Sequence, residues 1–158
     1  FVWFAVIALA LDVIVGLPEC SLIVAMVQRE VGERLAAAPG SKVYGAPSAL
    51  AQTACRVKVV RPVSRNVFRP VPNVDSVIVR LDRTGPVASL EVRKLIAAAF
   101  AHRRKALPKS VALATGDRSA TERMRAGLEA IGLPTDTRAE RLSAEQFAQL
   151  ADAAQSAG

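Results

Sequence analysis

Asn66 to Ser76 reads NVFRPVPNVDS and runs without a break into Val77-Ile-Val-Arg-Leu81. Pro70 and Pro72, with Pro62 a little upstream, each fix φ and remove a backbone donor, so the segment is neither helix nor interior strand but a stiffened loop. Its apolar head is Phe68, flanked by Arg65 and Arg69. Its exit is a strand with Val77, Val79 and Leu81 on one face and Ile78 and Arg80 on the other. A ring held on a rigid, basic loop beside a sheet suits stacking on a nucleobase while cations hold the phosphates. The same pattern suits a core plug anchoring a proline-rich crossover, and the residues alone leave both readings open.

Working outward, the 158 residues are 51% hydrophobic and 22% charged, which excludes a disordered tail and allows a real core. The net charge of +7 is unevenly placed. Between Arg56 and Lys109 stand 13 Lys/Arg against only Asp75, Asp82 and Glu91, so the rest of the chain is net acidic. Such segregation points to a binding face for a polyanion, nucleic acid before membrane. Cys20, Cys55 and the lone His102 have no ligand-like spacing, so no metal site is expected. The cysteines read as small buried residues in a reducing compartment, and a Ser or Cys nucleophile has no histidine–carboxylate pair to serve it.

Phe1 to Leu11 is continuously apolar and resumes after Asp12 as Val13 to Leu17. A buried helix and a membrane or signal segment are both open. The run before Asp12 is shorter than the roughly 20 residues a bilayer requires, and no basic residue precedes it, which favours the buried helix. Because no initiator Met opens the chain, a start inside a longer protein is expected. Leu22 to Val27 predicts a strand covered on both faces. Gln28 to Ala38 predicts a helix with Val31 and Leu35 inward and Arg29, Glu30, Glu33 and Arg34 solvated, stopped at Pro39-Gly40. A turn carrying Lys42 and Tyr44 leads to a helix over Ser48 to Thr53. Arg56 to Val63 then reads as an edge strand pairing with Ser76 to Leu81.

Arg83-Thr-Gly-Pro86 marks a boundary, with helices beyond it. Ser89 caps the first of these, whose buried side is Val92, Leu95, Ile96, Ala99 and Phe100. It is read as ending in Arg103-Arg104-Lys105, with a break at Pro108. Those cations either complement the helix dipole or, together with Lys109, contact RNA. Ser119-x-x-Glu122 and Ser143-x-x-Gln146 read as capping boxes for two more helices, the first turning Met124, Leu128 and Ile131 inward. Leu142 and Phe147 form a hydrophobic staple at the second.

The pattern F-x-P-x-P-x-V-D-S, here Phe68, Pro70, Pro72, Val74, Asp75 and Ser76, resembles a signature near the end of the catalytic domain of the ribosomal RNA adenine dimethyltransferases. MVQREVGERL at Met26 to Leu35, PGSKVYGAPSALAQ at Pro39 to Gln52 and AFAHRRKALPKS at Ala99 to Ser110 fit the same family in the same order. TRAERLSAEQFAQLA at Thr137 to Ala151 resembles the ending of its bacterial small-subunit KsgA type. The resemblance implies an α/β fold: residues 1–84 as the C-terminal part of a Rossmann-like class I methyltransferase sheet, seven-stranded with its final strand antiparallel, and residues 87–158 as a small all-α, RNA-binding domain.

It also implies an activity, S-adenosylmethionine-dependent dimethylation of adenines in small-subunit (16S) ribosomal RNA. Phe68 would stack on the target adenine, and Lys42, Tyr44, Arg65, Arg69, Arg103, Arg104, Lys105 and Lys109 would contact RNA. Tyr44 has an equal second reading, packed under its turn with its hydroxyl satisfied. The family's N-L-P-Y-type motif and glycine-rich cofactor loop do not occur in this sequence, so no cofactor-binding residue is assigned. The expectation is a truncated member, inactive and without S-adenosylmethionine affinity alone, with an uncovered sheet edge that makes it marginally stable. The implied setting is cytoplasmic and monomeric, on small-subunit ribosomal RNA or the pre-30S subunit, with neither membrane nor metal. A non-catalytic RNA-binding module is the runner-up, and a membrane-tethered basic protein the third reading.

Overall fold

The computed structural model describes residues 11–156. The apolar helix expected over Phe1 to Leu11 therefore lies outside the described residues except for Leu11, which is helical together with residues 12–16. Among the described residues no helix is long and apolar enough to cross a membrane.

Three strands form one sheet: β1 (Leu22–Gln28), β2 (Cys55–Val63) and β3 (Ser76–Arg83), in the order β1-β3-β2. The last strand in sequence lies between the other two and runs antiparallel to both, so β1 and β2 point the same way. The pairing expected of Arg56–Val63 with Ser76–Leu81 is present, with Val57 facing Leu81 and Val63 facing Ser76. As an edge strand β2 tolerates Pro62, whose missing N–H would break an interior ladder. In β3 the period of two is clean: Val77, Val79 and Leu81 are buried, while Ile78 is half-buried and Arg80 exposed. Burying each of these three is worth about 1.5–3 kcal/mol.

That face is covered by α1 (Arg29–Leu35) and α2 (Ala46–Gln52), through Val31, Leu35 and Ala51, and by Ile14. The charged side of α1 is solvated as expected, with exposed i,i+4 pairs Arg29–Glu33 at 2.9 Å and Arg34–Glu30 at 3.2 Å. Gln52 closes the C-terminal end of α1, its amide donating to the carbonyls of Leu35 at 3.0 Å and Ala37 at 2.8 Å. Arg83 ties the 11–20 segment to the end of β3 by donating to the carbonyls of Ile14, Leu17 and Cys20. Cys55 is buried, and burial pushes its thiol pKa up, whereas Cys20 is only half-buried.

The expectation for β1 needs correcting. Leu22, Val24 and Met26 are 44%, 59% and 54% exposed, so the strand is apolar on two faces but buried on one. No layer of the described residues lies over the second face, and β1 pairs only with β3 among them.

Beyond Pro86 come α3 (Leu90–Ala101), α4 (Leu107–Thr115), α5 (Ala120–Ala130) and α6 (Ala144–Ser156). Ser89 caps α3 by accepting from the Val92 amide at 3.3 Å. The helix stops at Ala101, short of the predicted Arg103-Arg104-Lys105, and the Ser110 hydroxyl accepts from the His102 amide just past its end. Pro108 sits in the first turn of α4, where a missing N–H costs nothing. The Ser143–Gln146 box closes reciprocally, at 2.9 and 3.1 Å. The Ser119–Glu122 box does not form: the Asp117 carboxylate accepts from the Ser119 amide at 2.9 Å and its hydroxyl at 2.7 Å, which leaves Ser119 in helical geometry. Leu128, Leu142, Phe147 and Leu150 are fully buried in the helical core. That core also takes in Ala37, Tyr44 and Ala49, from well before the Arg83–Pro86 boundary.

Candidate nucleic-acid interface

The loop between β2 and β3 starts with a single 3-10 turn, Arg65–Val67, at whose start the Ser64 hydroxyl accepts from the Asn66 amide at 3.3 Å. Asp75 closes it. Its carboxylate accepts from the Arg65 amide at 2.9 Å, and its carbonyl accepts from the Arg29 amide at 3.0 Å. The loop is thereby pinned over the carboxyl ends of β1 and β2, where open α/β sheets hold their ligands. Arg65 donates to the Asn73 carbonyl at 3.2 Å, and Arg69 donates to the carbonyls of Asn66 and Phe68 at 3.1 and 3.0 Å. Both guanidinium groups stay exposed while they brace the loop. Phe68, just after the turn, is half-buried: it neither plugs a core nor stands free. Beside the loop, Arg65, Asn73 and Asp75 face Gln28, Arg29 and Glu33 across an open cleft of about 400 Å³.

A second group of sequence-predicted residues hangs from the helical core. Lys42, Arg104, Lys105 and Lys109 all lie exposed at its surface. Tyr44 does not. It is wholly buried, its hydroxyl donates to the Leu142 carbonyl at 2.9 Å, and its ring meets Phe100 edge-on with centroids 6.0 Å apart. Burial pushes its pKa up to about 12. Of its two sequence readings the packed one holds, and a surface contact with RNA is closed to it.

Arg103 is half committed. It donates to the carbonyls of Lys42 at 2.8 Å and Tyr44 at 2.9 Å, and its Nε meets Glu140 at 3.2 Å, so it bolts the 41–45 turn to the helices. Sequence reasoning missed the third strand of this knot. Residues 137–142 thread between the turn and α4, with the Gly40 amide donating to the Glu140 carbonyl at 2.6 Å and the Leu107 amide to the Thr137 carbonyl at 2.9 Å. This brings the exposed Arg141 beside Gly40 at the 41–45 turn and leaves Arg138 exposed on the same short segment, two cations hidden in the net-acidic remainder of the sequence. Their only signal was the spacing of two arginines around Glu140 in TRAER.

The strand-to-helix joint of β1 and α1 passes from Gln28 straight into Arg29, and Gly32, the glycine near it, faces the methyls of Val77 and Val79 instead of open space. Its missing Cβ serves packing.

Solved structures of other proteins share this fold. A dimethyladenosine transferase from Plasmodium falciparum superposes with a TM-score of 0.75 at 24% identity, over 90% of this chain and 60% of that one. The 23S rRNA methyltransferase ErmE gives 0.63 at 20% identity, over 94% and 60%. The fold is thus the one these methyltransferases carry. The family described as ribosomal RNA adenine dimethylase matches residues 12–156, and this chain belongs to it, as the five ordered blocks implied. Ribosomal RNA small subunit methyltransferase A of Streptomyces avermitilis is 44% identical over 140 residues, 85% of this chain and 46% of that protein. The protein of the same description from Leifsonia xyli is 47% identical over 134 residues, 81% and 46%. The chain spans about half the length of the curated relatives it matches.

Proposed function

We propose that this chain supplies the RNA-handling part of a dimethylation of adenines in small-subunit ribosomal RNA. The observation that carries the reading is Phe68: a half-exposed ring on a loop braced by Arg65, Arg69 and Asp75, above the carboxyl ends of two strands. An exocyclic amine is a poor nucleophile because its lone pair is delocalised into the purine, so the base has to be drawn out and held in one orientation. Phe68 is the stacking partner in this reading, and Arg65 and Arg69 hold adjoining phosphates. Lys42, Arg103, Arg104, Lys105 and Lys109 bind the backbone further along, with Arg138 and Arg141 added. Residues 87–158 make up the RNA-binding unit, and residues 1–84 belong to the methyltransferase sheet.

In the family the methyl group comes from S-adenosylmethionine. No cofactor-binding residue is assigned among the described residues, and the part assigned to this chain is extraction, stacking and retention of the adenine. Alone it therefore acts as an RNA-binding module without turnover.

An RNA stem-loop carrying 2-aminopurine at the target position tests the stacking role. Fluorescence quenching on binding is expected with the wild type and with Phe68→Trp, whereas Phe68→Ala should lose about 1–3 kcal/mol of affinity. Unchanged affinity and quenching in Phe68→Ala would remove the ring from the site. Calorimetry with S-adenosylmethionine should show no heat of binding, and stoichiometric binding would overturn the reading of this chain as the RNA-handling part only.

A further inference from the structure

The outward face of β2 carries charge that the loop and the helical cluster do not use. In register, Arg56 faces Asp82 and Lys58 faces Arg80, while Val57 and Val59 face Leu81 and Val79 on the other side. Strict alternation would then bring Arg61 round to the valine side. It does not, because β2 bulges at Val60: between Val59 and Arg61 it advances two residues while β3 advances one, and Arg61 comes to face Ile78. Bulges re-aim side chains in this way. Arg56, Lys58 and Arg61 end up in one exposed row, with Arg80 beside them on β3.

The row is short of counter-charge. Its one carboxylate, Asp82, is held by Arg80 at 2.7 Å, and Arg56, Lys58 and Arg61 form no ion pair among the described residues. The Arg80 guanidinium keeps the Asp82 carboxyl below its usual range, and the charges of Arg56 and Lys58 deepen the effect, as their common face requires. Alternate side chains along a strand stand about 7 Å apart. The row climbs towards Ser64 and continues into Arg65 and Arg69 on either side of the Phe68 turn. Blunting an edge against other strands takes isolated charges. A bulge that turns a third cation onto the same face makes a track.

We propose that Arg56, Lys58, Arg61 and Arg80 form a second RNA-backbone surface, which binds the sugar-phosphate chain leading to the base at Phe68. The inference rests on RNA as the partner of the Phe68 loop but concerns a different surface from the helical cluster.

The test is the salt dependence of affinity for an RNA stem-loop with a single-stranded adenine-containing loop, read by fluorescence anisotropy on the intact chain. The triple variant Arg56→Gln/Lys58→Gln/Arg61→Gln is compared with Arg104→Gln/Lys105→Gln/Lys109→Gln. Each phosphate that is no longer neutralised should flatten the slope of log K against log salt by about 0.7–0.9, so the β2 triple should lower it by roughly 2. Arg61→Gln alone should lower it by about one such step, and the three single variants serve if the triple fails to fold. A wild-type slope in the β2 variants, with a lowered slope in the helical variant, overturns this proposal and leaves the Phe68 reading standing. Wild-type slopes in both sets overturn RNA binding itself. Preferential binding of the wild type to phosphatidylserine vesicles, abolished in the β2 triple, would replace RNA by a lipid surface.

Discussion

The phenolic hydroxyl of Tyr44 and the main-chain carbonyl of Leu142 are 2.9 Å apart, although 98 residues separate them in the chain. The bond joins the turn before α2 to the entry of α6, at the centre of the helical core. Tyr44→Phe keeps the ring and strands the carbonyl, so a loss of about 1–3 kcal/mol is expected in urea unfolding. RNA affinity and its salt slope should stay at wild-type values, because the residue is buried.

The same tyrosine sets a pH dependence. Its pKa is raised from 10.0 to about 12 by burial, so its contribution is complete below pH 10 and is lost as pH rises towards 12, where the unfolded chain ionises first. Over that window the wild type should lose on the order of 2–3 kcal/mol that Tyr44→Phe does not lose. The stability gap between the two proteins should close, and denaturant midpoints at a series of alkaline pH values measure it.

Asp117 takes the role predicted for Ser119. Its hydrogen bonds from Ser119 and Arg123 hold its pKa at about 2, below the usual 3.8. The cap is present above pH 4 and is lost as pH falls through 2. Asp117→Ala should lower the melting temperature near neutrality, with the difference from wild type vanishing in acid, whereas Ser119→Ala should lower it less. Thermal melts near neutrality and in strong acid distinguish the two.

Arg103 and its neighbours should part company. Arg103→Ala removes the donors to the Lys42 and Tyr44 carbonyls and should destabilise the chain by about 1–3 kcal/mol. Arg104→Ala and Lys105→Ala should leave stability within about 0.5 kcal/mol, while all three variants flatten the RNA salt slope. Parallel unfolding and binding series on the three variants read both effects.

At Gly32 an added Cβ would overlap the Cγ2 methyl of Val77 and come within 2.9 Å of Cγ1 of Val79. Neither is the far end of a flexible chain, so Gly32→Ala should lose about 1–3 kcal/mol by overpacking, seen as a lowered urea midpoint.

What could be read in advance was local. The alternation of β3 and the Ser143–Gln146 box depend on residues a few positions apart, and both appear as expected. The failures were competitive or distant. Asp117, two residues upstream, outcompetes Ser119 for its own cap. The depth of Tyr44 and the engagement of Arg103 were set by Leu142 and Glu140, far along the chain, where no periodicity reaches. Leu22, Val24 and Met26 read as buried because composition reports how apolar a strand is, not whether anything lies across it. The Val59-Val60 doublet was the visible trace of the bulge, a stumble in the valine–cation rhythm that only register could turn into a direction.

Helix α2 belongs to both halves of the molecule. Ala49 is buried in the helical core, while Ala51, two positions on, lies in the sheet core with Cys55. A party wall of this sort cannot be given to one tenant. Severing the chain at the Gly85-Pro86 crossing would leave the seven residues of α2 with the sheet and strip the helices of Tyr44 and Ala49, so the far side would stand with one wall gone.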